Sequence, residues 1–434
     1  MKRLISCVLA LLYVMAGFAS GTWILHGKEY RVDTLYHAYI GPGTTQTSIK
    51  LAGPVNLRVF YTTTDLKNEN VDVRAIKHKD TLTGLGTVSN AAESHSTSNR
   101  SYFAGINADF FSSSMPCGIT VVDGEVYCSD QASGWSLFGI DANKIPYSGG
   151  GDFYVKLTAP DYSTAELSAM NLERETNGLV LYSSRKGANT GTDGNGSEVV
   201  LIPDGEGNFL TPGATVRMRV QGNPNHAGSM PILDNGYILS GSGTKESFVS
   251  NLSEGDVVEV RCAIRFNGFT GGKIQQALGG CPMLVSGGKV LDTENALDHL
   301  TSAQPRTAVG YNAEKNKLVM LVADGRSSIS VGPISKVLAD IMIYAGCSEA
   351  MNFDGGGSST FYVKGEGVIN QPSDGSERSV TDGLYLSTDA PQNDVTITTI
   401  RFMDYAKTLN QGDAYTPVIY GYNQYGCLLY TSDA

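Results

Sequence analysis

Residues 305–361 read PRTAVGYNAEKNKLVMLVADGRSSISVGPISKVLADIMIYAGCSEAMNFDGGGSSTF. RTAVGY and KLVMLVAD are two strand-like runs joined by Asn312-Ala-Glu-Lys-Asn316, a hairpin pattern. In 333–345 apolar side chains fall at Ile334, Val337, Leu338, Ile341, Met342 and Ala345, the i, i+3, i+4, i+7 spacing of an amphipathic helix. Pro333 suits its first turn and Gly346 its C-terminal cap. EAMNFD is a further strand, and DGGGSST is the loop at its end. Strand, helix, strand in this order predicts a parallel pair with a crossover. Asp324 and Asp354 then end their strands on one edge of the sheet. Arg306 begins the strand antiparallel to the one Asp324 ends, and Arg326 follows two residues on, so four charges are expected to gather at that edge.

Working outward, VNLRVFYTTT, VDVRAIKH and SYFAGINADFF read as strands and NAAESHST as a short helix. Between about Gly151 and Phe266, turn clusters such as KGANTGTDGNGSE alternate with short strands, which marks a β-rich insertion. After Ala390, DVTITTIRFMDYAKTLNQGDAYTPVIYGYNQYG suggests the start of an immunoglobulin-like sandwich broken off early. The expected fold class is α+β, with mixed sheets, few helices, the insertion and that truncated sandwich.

The chain has 434 residues, 41% hydrophobic and only 17% charged, with 51 Gly and 22 Tyr. That balance favours a strand- and turn-rich protein. A net charge of -11 argues against a nucleic-acid partner. The N-terminal MKRLISCVLALLYVMAGFASG has a basic start, an apolar run and small residues near Ala19–Gly21, as a secretory signal does. The protein is therefore expected to be exported, periplasmic or extracellular, with no stable membrane insertion once residues 1–21 are removed. The competing reading of that run is a membrane anchor. The expected organisation is a catalytic domain over 22–390 with its insertion at 151–266, then a partial immunoglobulin-like domain over 391–426. The last eight residues, CLLYTSDA, are what a common sequencing adapter encodes when read through, and 427–434 are set aside as a non-native tail contributing nothing.

Cys117 and Cys128 flank the hairpin-like CGITVVDGEVYC diagonally, so a disulfide there is possible but poorly registered. Cys262, Cys281 and Cys347 lack metal-ligand spacing and suit a buried apolar role. The six His form no HExxH or close pair, so a dedicated zinc site is not expected; whether any other metal binds is left open. No Gly-Lys-Ser/Thr follows the glycines, so they do not form a P-loop, and no GxSxG elbow frames Ser358 or Ser359.

INADFF (106–111), GGCPMLVSGG (279–288), PRTAVGY (305–311), VADGR (322–326), the helix ending in YAGC, NFDGGGSSTF (352–361) and ERSVTDGL (377–384) occur in one order. Together they resemble the phosphodiester glycosidase family, over about Tyr102 to Leu384. The resemblance implies an activity like that of N-acetylglucosamine-1-phosphodiester alpha-N-acetylglucosaminidase: hydrolysis of a sugar joined through its anomeric oxygen to a phosphodiester, without a cofactor. Cleavage at the anomeric carbon builds an oxocarbenium-like transition state that a carboxylate can stabilise, attack or serve by activating water. Asp354 is the first candidate for that carboxylate, with Asp324 and Asp109 as further catalytic candidates. Arg306, Arg326 or Arg378 could take up charge on the leaving phosphate. Gly355, Gly356 and Gly357 would let the sugar phosphate approach the backbone and receive its N–H groups. Asn107, Asn352, Ser358 and Ser359 would complete the substrate pocket. Spacing leaves open which carboxylate is acid, base or nucleophile. Two other classes remain: a non-catalytic envelope glycan-binding protein on the same scaffold, and a hydrolase with Ser358 as nucleophile.

Overall fold

The computed structural model describes residues 21–130, 135–205, 209–266, 269, 271–293, 296, 297, 300–402 and 418–431. The proposed signal peptide lies outside them but for Gly21. Among the described residues, only three short α-helices occur, Val88–His95, Glu246–Ser250 and Ser335–Tyr344, against 32 strands. The molecule is therefore β-rich, and the α+β expectation is corrected. Of the mixed sheets little is left: one two-residue pairing, Ala169–Met170 beside Leu179–Tyr182 at the edge of an eight-stranded sheet, is parallel, and the other ladders among the described residues are antiparallel.

The helix expected at 333–345 forms over Ser335–Tyr344 and buries Val337, Leu338, Ile341 and Met342. Gly346 follows with φ +98°, a backbone conformation that glycine adopts without strain. The crossover places Lys317–Ala323 and Glu349–Phe353 in the same direction, but Arg306–Tyr311 lies between them and pairs antiparallel with both. A parallel ladder is thus absent at this point. The continuous apolar run KLVMLVA reflects a strand covered on both faces, which is a property of burial and not of direction. Leu318, Met320 and Val322 face a core shared with the second sheet, while Val319, Leu321 and Ala323 face the core beneath the helix.

These strands are the centre of a nine-stranded sheet. A five-stranded sheet packs across its other face, in the spatial order Gly367–Val368, Phe361–Val363, Ser101–Asn107, Asp382–Thr388, Asp72–Lys77. The strands between Gly151 and Phe266 form an eight-stranded sheet of their own. Thr399–Phe402, Ile419–Tyr422 and Leu428–Thr431 make a three-stranded sheet. No second sheet accompanies it among the described residues, so the sandwich is not seen there. This sheet packs on the nine-stranded one: Tyr420 and Tyr422 are buried against Ala38, and Tyr422 Oη donates to the Tyr39 carbonyl at 2.8 Å. Leu428–Thr431 pairs with Ile419–Tyr422, so the set-aside tail supplies a strand. Cys117 and Cys128 are free thiols here, and Cys262, Cys281 and Cys347 are free and buried.

Strand alternation decides where Arg306 points. Arg306 and Ala308 share the helix-facing side of their strand, whereas Thr307 and Val309 face the other sheet. Arg306 is 1% exposed and donates to the carbonyls of Pro333 (3.3 Å), Ser302 (2.9 Å) and Leu300 (3.5 Å). It ties the loop before its own strand to the start of the helix. Arg306→Met keeps the apolar stem and strips these donors. We expect it to lower unfolding free energy by about 3 kcal/mol, read by urea denaturation.

Candidate active site

Asn107 ends its strand in the five-stranded sheet, and Thr307 and Phe353 lie opposite each other in the nine-stranded one. The two sheets meet at these ends. Asn107 Oδ1 accepts from Thr307 Oγ1 (2.8 Å) and Thr360 N (3.1 Å), and its Nδ2 donates to the Asp354 carbonyl (2.7 Å). Asn107 is 1% exposed and is spent on holding the Asp354 loop against both sheets. Thr307, which the sequence reading passed over, also accepts from Ser359 Oγ at 3.2 Å.

Asp354 follows its strand with its backbone N–H on the Ala108 carbonyl (2.8 Å). Its carboxylate is bonded by Ser358 and by the Gly355 amide, and Arg378 lies near it. Burial outweighs these partners and pushes its carboxyl up to about 6. Asp354, Gly355 and Gly356 are nevertheless part-exposed, so a ligand can reach them. Ser358 is fully buried, with Asp354 and Arg378 as its side-chain partners. No histidine is among those partners, and the buried His78 is engaged by the Gly86 and Val380 carbonyls and by Tyr385 Oη.

The glycines serve the arginines. Gly356 has φ +62°, and a Cβ there would lie 3.1 Å from Arg326 Nη2. A Cβ on Gly357 would collide with Arg378 Nη2 and the Asp374 carboxylate, and one on Gly355 would lie 2.7 Å from the Pro305 carbonyl. The triplet is thus a floor on which two guanidinium groups rest. Its amides are partly spent: Gly356 N–H donates to Pro305 O at 2.9 Å and Gly355 N–H to Asp354.

The two arginines differ in their partners. Arg378 is bound to Asp374, Nη2 to Oδ2 at 2.6 Å, and its Nη1 donates to Ser358 Oγ at 3.3 Å. Arg326 has neutral side-chain partners, Gln304 Oε1 at 2.7 Å and Ser373 Oγ at 3.4 Å. It adopts φ +60°, a left-handed conformation that costs a non-glycine residue about 1 kcal/mol or more and persists where its surroundings enforce it.

Asp324 lies at the same sheet end as Asp354, as the strand order required. Its side chain points to other business: Oδ1 accepts from Gln371 N (2.8 Å) and Asn370 Nδ2 (3.4 Å), and the residue is 2% exposed. It anchors the segment that carries Asp374 and Arg378. Asn352 sits on the helix-facing side beside Ala308 and donates to the Cys281 carbonyl at 2.7 Å. Asp324, Arg306 and Asn352 are therefore held away from the cluster around Asp354, and Ser359 is buried beneath it with its carbonyl taken by Asn370. Asp109 lies deeper, 1% exposed, with Oδ2 accepting from Gly118 N at 2.8 Å. Sequence reasoning missed its buried neighbour Asp382, whose Oδ1 accepts from Asp109 N at 2.9 Å. The signal was present, since Asp382 lies inside ERSVTDGL, but Asp-Gly also reads as a turn.

A phosphodiester glycosidase family model matches residues 212–387. The SPbeta prophage-derived uncharacterized protein YomE of Bacillus subtilis (strain 168) is 40% identical over 88 residues, 20% of this chain and 13% of that protein. The chain thus spans only a small part of that relative's length. A putative exported protein of Burkholderia pseudomallei K96243 has the same fold, with TM-score 0.61 and 18% identity over 85% of this chain and 99% of its own. A hypothetical protein from Synechocystis gives TM-score 0.60 and 15% identity, covering 80% of this chain and 62% of that one. Residues 212–387, the stretch that matches the phosphodiester glycosidase family model, hold Asp354, the glycine floor and both arginines.

Proposed function

We propose that the protein hydrolyses the bond between an anomeric sugar carbon and a phosphodiester oxygen, as in an N-acetylglucosamine-1-phosphodiester. Water supplies hydroxide to the sugar carbon and a proton to the departing phosphate, leaving free sugar and a phosphomonoester. The observation that carries this reading is a part-exposed carboxylate, Asp354, beside two guanidinium groups resting on a glycine floor. A carboxylate answers the positive charge that develops on the sugar, and the arginines answer the negative charge on the leaving phosphate. Asp109 backs Asp354; Asn107, Ser358 and Ser359 hold the loop; Asp324 and Arg306 support the scaffold. No cofactor enters the reaction.

We place the protein outside the cytoplasm, on the strength of its N-terminal sequence. No helix among the described residues is long and apolar enough to cross a membrane. The test is a panel of sugar-1-phosphodiesters differing in sugar and in aglycone, with free sugar and phosphomonoester quantified and Asp354→Asn as control. Tight binding of a diester with no turnover by the wild type would favour the glycan-binding alternative.

A further inference from the structure

Behind Asp354 lies a group of charges that the reaction as described does not use. Lys77, Asp109 and Asp382 are 2%, 1% and 0% exposed. Lys77 and Asp382 are cross-strand partners in the five-stranded sheet. Lys77 Nζ donates to the Gly84 and Thr381 carbonyls, both at 3.1 Å, acceptors that suit an ammonium. Asp382 Oδ1 accepts from Asp109 N at 2.9 Å and Oδ2 from Thr381 Oγ1 at 3.1 Å. Asp109 Oδ2 is taken by Gly118 N, and a Cβ on Gly279 would lie 2.5 Å from it. Asp109 Oδ1 is buried and has no hydrogen-bond partner among the described residues.

One ammonium and two carboxyls share this buried site. Lys77 offsets one negative charge, and Asp382 is the carboxyl with donors on both oxygens. A second bare carboxylate beside it would cost several kcal/mol, and taking a proton is the cheaper state. The buried thiols and imidazole beside the site add no charge near neutrality. Burial pushes the Cys117 thiol up to about 11 and Cys128 up to about 12, and pulls His78 down to about 4. Asp130 lies near both thiols, and Arg378 faces Asp354 on the open side.

We propose that Lys77 and Asp382 are positioning residues that hold Asp109 as a neutral acid behind Asp354, so that an anionic substrate meets one ionisable carboxylate where the sequence places several. The proposal rests on the function above only for the identity of that substrate. Burial and the Asp382 charge push the Asp109 carboxyl well above the ordinary range, while Lys77 and its hydrogen bonds restrain the rise at Asp382. A phosphodiester anion would be repelled by every further negative charge. A neutral Asp109 removes one and leaves an O–H on Oδ1 in place of a lone pair.

Infrared difference spectra at pH 7, with aspartate carboxyls isotopically labelled, test this without any substrate. Wild type should show a protonated-carboxyl C=O band that Asp109→Asn removes. The band should weaken in Asp382→Asn, where Lys77 then favours an ionised Asp109. It should strengthen in Lys77→Met, where Asp382 takes a proton too. A wild-type spectrum indistinguishable in this region from Asp109→Asn overturns the proposal, whether or not any diester is hydrolysed. Loss of turnover in Asp382→Asn with an unchanged band would mean a merely structural Asp382. If Asp382→Asn fails to fold, the wild-type, Asp109→Asn and Lys77→Met spectra still decide.

Discussion

Asp354→Asn is expected to lower kcat/KM on a sugar-1-phosphodiester by about a hundredfold to ten-thousandfold and to stabilise the protein above pH 6. Both effects have one cause. Burial raises the Asp354 carboxyl to about 6, so the folded state binds its proton more tightly than the unfolded chain does. The stability this contributes is fully present below the ordinary carboxyl pKa of about 4 and is lost as pH rises through about 6. The difference amounts to about 3 kcal/mol in the limit, because the folded state then carries a carboxylate that its surroundings desolvate. Asparagine keeps the shape and removes the titration. Its amide meets one donor from Ser358 or Gly355 less well than a carboxylate does, so the net gain will fall short of that limit. The measurement is the unfolding free energy of both proteins by chemical denaturation at several pH values between 4 and 8. The mutant-minus-wild-type difference should climb across that window. A flat difference would mean that Asp354 is not a strained carboxylate, and retention of turnover would remove it from the reaction.

How much of this could be read in the sequence differs from residue to residue. The helix at Ser335–Tyr344 was legible because its apolar spacing has a single periodic solution, and the hairpin around Asn312–Asn316 because its turn is short. The common sheet end of Asp324 and Asp354 followed from counting strand directions. The neighbour relation did not follow, since Arg306–Tyr311 can sit beside the pair or between them with the same local pattern. Local pattern also cannot say which side of a strand is the site. Arg306 and Thr307 are adjacent in sequence, yet the first caps carbonyls under the helix while the second faces Asn107. Asp382 and Lys77 were hidden for another reason. Each lies at the end of a buried strand, and their pairing is a long-range register, with 304 residues separating Lys77 from Thr381. The glycine triplet was legible as a close-approach site. What approaches it, two arginines from separate loops, depends on where the 326 and 378 loops return in space.

Arg326→Ala is expected to lower kcat/KM on a sugar-1-phosphodiester by two to three orders of magnitude, roughly the loss seen when one preorganised donor to a developing anion is removed. On an aryl glycoside of the same sugar with an uncharged leaving group, the loss should stay within about tenfold, because little phosphate-like charge develops there. Arg326 is singled out over Arg378 by its partners. The Asp374 carboxylate, 2.6 Å from Arg378 Nη2, already answers much of that charge, whereas the side-chain partners of Arg326 among the described residues, Gln304 and Ser373, are neutral. Arg378→Ala should therefore show the same selectivity with a smaller ratio. Arg326→Lys should recover only part of the lost rate, since an ammonium cannot offer the planar two-donor fork. Gly356→Ala should resemble Arg326→Ala in direction, because the added methyl presses on the guanidinium from below and strains a left-handed backbone. The deciding quantity is the ratio of mutant to wild-type kcat/KM on each of the two substrates. Equal ratios for Arg326→Ala would show that this side chain holds the loop or the sugar, and the phosphate would then have to be read by Arg378 alone.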